Sequence, residues 1–136
     1  MLISVLLYAT SLINVPDTGQ HMIDVQLSEC LSKSEATMIR AECYNKAYND
    51  WDNDITATEK VLMAKADAKQ KEKFRSEQSA WQKQRDDAFN KIADKYNKMR
   101  GTMYIPVRIK LRMEVLRKRA LQLEKQLRDI NVQQSR

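Results

Sequence analysis

Glycine and proline are nearly missing from this chain, with two of each among 136 residues. So few turn formers argue against a sheet-rich or loop-rich fold, whose hairpins and connections draw on those residues. No glycine loop of the kind that cradles phosphate is present, and neither is an RNA-binding sheet signature. The single histidine, His21, and the two cysteines, Cys30 and Cys43, fit no metal-ligand spacing, so no metal or cofactor is expected. His21 lies near the start of the chain, away from any serine and aspartate pattern that would make a catalytic triad. With no visible nucleophile, metal set or phosphate loop, an enzyme acting on a small-molecule substrate is the least favoured class.

Long apolar runs are also missing, apart from residues 2–13 of MLISVLLYATSLINVP. That run is too short to span a bilayer but suits the apolar stretch of an export signal, with Ala9 and Ser11 as small residues before a cleavage point. No lysine or arginine precedes Lys33, so the usual basic start is lacking. The competing reading is an apolar strand or helix packed on the rest of the fold. The expected organisation is a signal-like start and linker over residues 1–19 and one helical-bundle domain over residues 20–136, in a periplasmic or secreted protein.

Cys30 and Cys43 form either one disulfide or two buried thiols. A straight helix would hold them roughly 20 Å apart at ~1.5 Å per residue, so a disulfide requires a turn between them. Ser32-Lys33-Ser34-Glu35 matches the S-x-x-E capping box, which predicts a helix over residues 35–65 with Ser32 as its N-cap. On it, Ile39, Cys43, Ala47, Trp51, Ile55 and Leu62 make one apolar stripe. Asp67 and Gln70 make a second capping box, starting a helix over residues 68–99 that Gly101 ends. Pro106 suits the first turn of a third long helix, along which Ile109, Met113, Leu116, Ala120, Leu123, Leu127 and Ile130 form a heptad seam. The fold expected is all-α, an elongated antiparallel bundle of three long helices with a short N-terminal segment clipped by the disulfide. The short connections favour a monomer with its seams packed internally; the alternative use of the same seams is a homodimer.

The second long helix contains QSAWQKQRDD, in which Gln78, Trp81 and Arg85 share a face. A buried guanidinium without a partner is destabilising, so Arg85 calls for an acid. A hairpin turning near Asp67 sets Asp52 opposite about position 82, which nominates Asp50, Asp52 or Asp54 beside Trp51 and Trp81. This cluster, with Glu59, is read either as a register-fixing polar layer or as a binding patch. Net charge is +6. The lysines and arginines are interleaved with acids, which suits a solvated helical surface better than nucleic-acid binding. The stretch RIKLRMEVLRKR, residues 108–119, is the most one-signed.

The run over residues 30–123 resembles the LprI-type lysozyme-inhibitor-like family, small exported helical proteins with a Q-x-x-W-x-x-x-R-D core. That core reads here as Gln78, Trp81, Arg85 and Asp86, downstream of the Cys30 and Cys43 pair, with Gly101, Thr102, Met103 and Arg119 matching the later turn and last helix. Thr56 and Glu59 stand where the family usually has Asn and Tyr. Phe89 and Leu111 stand near the positions of a second cysteine pair found in many members, which predicts that Phe89 packs on Leu111 or a residue within one turn of it. The resemblance implies a non-enzymatic extracytoplasmic protein that blocks a cell-wall hydrolase such as lysozyme by protein contact. Common lysozymes are basic, so attraction would have to come from a local acidic face, with Asp50, Asp52, Asp54 and Glu59 as its donors. Two alternatives stand beside it: an immunity or chaperone-like protein for a secreted effector, and a basic adaptor for anionic polymer acting through residues 108–119.

Overall fold

Between the apolar start and Lys33, Ile23, Leu27 and Leu31 recur at steps of four, and they lie on one face of a helix. The computed structural model describes residues 19–136. It places α1 at Met22–Ser32, α2 at Thr37–Lys65, α3 at Ala68–Tyr96 and α4 at Tyr104–Gln134. The expected short N-terminal segment is thus itself helical, and the described residues form four helices, one of 11 residues and three of 29, 29 and 31. Residues 1–18, where the signal-like start was read, lie outside the described residues.

Because α1 runs on through Ser32, the first capping box is not used. The Ser32 hydroxyl donates back to the Glu29 carbonyl at 2.7 Å, and Glu35 instead faces Arg40 at 3.6 Å. α2 begins only at Thr37, with Ser34 accepting from the Ala36 N–H at 3.1 Å in the turn. That turn brings Cys30 and Cys43 together as a disulfide with a Cα separation of 5.7 Å. The second capping box forms as expected: Asp67 accepts from the Gln70 N–H and Gln70 from the Asp67 N–H. α3 ends at Tyr96, short of Gly101, with the Asn97 N–H bonded to the Ala93 carbonyl. Gly101 serves the connection to α4 instead, at φ +118°, where a side chain would be strained. Pro106 is the third residue of α4, where its missing N–H breaks no intrahelical bond.

The three long helices run up, down and up. α2 and α4 are the closely packed pair and are parallel, their C-terminal ends joined by Gln134 donating to the Lys65 carbonyl. Trp51, Leu116, Ala120 and Leu123 are fully buried in the core, with Ile55, Leu62 and Met113 beside them. Each such apolar side chain contributes about 1.5–3 kcal/mol on burial. The α4 heptad therefore packs within the chain. α1 lies on α2, while α3 packs more sparsely and mainly on α4, contributing Phe74 as its only buried residue among those described. Phe89 of α3 meets Tyr48 of α2 at 6.4 Å between ring centroids and lies under Arg112, one residue from Leu111, as the missing second cysteine pair led one to expect.

Candidate functional site

The sparse packing of α3 decides what happens to its motif. Gln78, Trp81 and Arg85 form one half-buried face, as the spacing predicts, but α2 does not come close enough to supply the acid. Arg85 bonds instead to its neighbour Asp86, through Nε and Nη2 at 3.0 Å each, and covers the Trp81 ring at 5.3 Å. The expected pairing with Asp50, Asp52 or Asp54 is therefore corrected. The Arg85 side chain remains 32% exposed, so water shares its solvation and no buried partner is required.

A second guanidinium approaches the same indole. Arg119 of α4 lies 5.3 Å from the Trp81 ring centroid, so the tryptophan anchors two cations by its π face. Arg119 is 6% exposed, and its Nε and Nη2 have no hydrogen-bond partner. Burial lowers its pKa, an effect opposed by the nearby charges of Glu59 and Glu77. Glu59, which stands where the family usually has Tyr, thus faces Arg119 electrostatically.

The acids of YNDWDNDIT do not form one face. Asp50 takes an ion pair from Lys46 at 2.6 Å, and Asp52 is exposed. Asp54, two residues further on, turns inward toward α1 and α4. Trp51 is 0% exposed and belongs to the core, so it cannot be part of a contact patch.

The inward turn of Asp54 creates a polar centre that sequence reasoning missed. His21 caps α1, its Nδ1 accepting from the Ile23 N–H at 3.1 Å, which leaves the Nε2 proton to point at Glu124 Oε1, 2.8 Å away. Asp54 faces Glu124, and burial followed by the interaction with Glu124 raises the Asp54 pKa to about 6. One atom each of His21, Asp54 and Glu124 lie within 4.8 Å of one another, a spacing that could hold an ion. The imidazole tautomer opposes that use, because a metal on Nε2 would displace its proton to Nδ1 and break the helix cap.

Around this centre the Trp51 ring lies against His21 at 4.4 Å and under Arg117 at 5.9 Å. Arg117 is clamped by Asp24 through three contacts of 2.8–3.1 Å, which raise the pKa of the guanidinium. The clamp and the disulfide hold α1 at two separated points. Two signals were available in advance: the four-residue steps of Ile23, Leu27 and Leu31, and the placement of His21 two residues before the first of them.

The basic stretch of residues 108–119 is also dispersed by the helix. Arg117 is paired with Asp24, Arg119 is buried, Arg112 covers Phe89, and Lys110 lies 4.0 Å from Glu114. What remains is no continuous cationic ridge.

Neither the curated proteins nor the solved structures include a match to this chain. The profile of the family described as Lysozyme inhibitor LprI matches residues 28–123, a span that holds the disulfide, the Trp81 motif and Arg119. Covering well over half of the sequence, that match places the chain in the lysozyme inhibitor LprI family.

Proposed function

We propose that this protein is a non-enzymatic extracytoplasmic inhibitor that blocks a cell-wall hydrolase by direct protein contact. The observation that carries the reading is the family match over residues 28–123. The Cys30–Cys43 disulfide within it suits an oxidising compartment. In this reading residues 1–19 are an export signal and linker, and residues 20–136 fold as one domain that acts as a monomer.

The Gln78, Trp81, Arg85 and Asp86 motif serves the scaffold, since Trp81 and Arg85 are engaged with α4 and with Asp86. The contact surface lies beside it. Of the acids nominated from sequence, Asp52 is exposed and Asp50 and Glu59 are partly accessible, so these three are the ones available to a basic hydrolase. The adaptor reading for anionic polymer loses its ligand surface to the dispersal of residues 108–119.

The test is a pull-down with the full oxidised chain, using wall hydrolases and native secreted proteins as prey. A wall hydrolase recovered at physiological salt is the expected result. Recovery of polyanions alone, released by modest salt, overturns the proposal. Recovery of a single secreted effector that is not a hydrolase favours the immunity or chaperone-like role instead.

A further inference from the structure

Arg119 poses a problem that the family role does not solve. An arginine whose residue is 94% buried should have its donors satisfied, because a lone buried charge costs several kcal/mol. Among the described residues Arg119 has neither a hydrogen bond nor an ion pair, although the same helix gives Arg117 a three-contact carboxylate clamp. The Trp81 ring offsets part of the charge but leaves Nε and Nη2 unused. Glu59 and Glu77 act on it from beyond ion-pair distance.

Arg119 also lines a groove of about 480 Å³ between α3 and α4, with Glu77, Trp81, Gln84, Gln122 and Lys125. The lining combines a buried cation, a second and exposed cation held by Asp129 at 2.9 Å, the three amides of Gln84, Gln122 and Gln126, and an indole. A carboxylate is the group that matches such a set: the arginine fork accepts it in bidentate fashion, and the amides bond to the peptide-like atoms that adjoin it. Glu77 repels the same ligand, so binding is weak and selective for a group that reaches past the rim. Entry to the shielded Nε and Nη2 requires a small outward shift of α3, the helix with the least packing to lose.

We propose that the groove between α3 and α4 at Trp81 is a carboxylate-binding site in which Arg119 supplies the counter-charge. It takes an acylated amino acid or the corresponding end or side chain of a peptide, and it stands independently of hydrolase inhibition.

The experiment follows the indole N–H resonance of Trp81, assigned by its loss in Trp81→Phe, while the full oxidised chain is titrated with four small probes. N-acetyl-alanine and its amide report on a terminal carboxylate; N-acetyl-glutamic acid amide and N-acetyl-glutamine amide report on a side-chain carboxylate. The expected result is a saturable shift with at least one acid, half-complete at about 1–10 mM, no saturable shift with the matching amide, and loss of the response in Arg119→Gln. The acid that works identifies the source of the carboxylate. If acid and amide act alike, or neither acid shifts the resonance by about 50 mM, the site does not exist. The acid and amide comparison uses the unaltered chain, so it holds even where Arg119→Gln fails to fold.

Discussion

Arg85 and Arg119, from different helices, each lie 5.3 Å from the centroid of the same indole, that of Trp81, yet only Arg119 is buried. The difference in burial separates their contributions to stability. Arg85→Met should change the unfolding free energy by less than about 0.5 kcal/mol, since its pair with Asp86 is exposed to solvent. Arg119→Met should be neutral or stabilising by about 1 kcal/mol, because it removes a buried charge that lacks a counter-ion. Urea unfolding of both variants checks this, and a loss above about 2 kcal/mol in Arg119→Met would mean that its charge is compensated in the fold.

Asp54 gives a pH dependence with a definite sign. Its folded pKa, about 6, stands above the ordinary carboxylate value of 3.8, so the folded protein holds the proton more tightly than the unfolded chain does. Its contribution is fully present below about pH 4 and is lost as pH rises through about 6. The expected loss is about 1–2 kcal/mol, reduced from the full shift because the group is only partly buried. Unfolding curves at pH 4 and pH 7 should therefore differ less in Asp54→Asn than in the parent chain; equal differences would place the titration elsewhere.

The disulfide closes a loop between residues 13 apart. Replacing both Cys30 and Cys43 with Ser should cost about 2–3 kcal/mol. The Asp24 clamp on Arg117 still holds the other end of α1, so hydrogen exchange should quicken first near Ser32 and last near Asp24. Uniform exchange along α1 would show that the clamp does not hold the helix.

The core pair of α2 and α4 should dominate folding stability. Leu123→Ala and Leu116→Ala remove fully buried side chains and should each cost about 2–5 kcal/mol. Substitution of Val132, 55% exposed near the end of the same helix, should stay within about 0.5 kcal/mol.

The long helices were legible because the four-and-three spacing of Met113, Leu116, Ala120 and Leu123, and the Asp67–Gln70 box, are local signals that survive in the packed fold. α2 starts later than its local signal predicts because Ser32-Lys33-Ser34-Glu35 satisfies a capping rule that α1 overrides by continuing through Ser32. The partner of Arg85 departs from the expected one for a different reason. Hairpin register fixes which residues lie level with each other, and the Tyr48–Phe89 contact lies close to it, but register does not fix how near two helices approach. α2 turns its broad apolar stripe to α4, so α3 stays too far from it for Asp52 to reach Arg85. The polar centre of His21, Asp54 and Glu124 joins three helices, and no spacing along the chain announces such a meeting.

The most direct measurement is a titration of lysozyme activity on cell-wall substrate with the full oxidised chain at physiological salt. The family role predicts a progressive loss of activity that saturates near about one chain per enzyme, with Asp52→Lys weakening it by about tenfold through slower association and faster dissociation together. Undiminished lysis at a large molar excess of folded, oxidised protein would contradict inhibition of lysozyme by this chain.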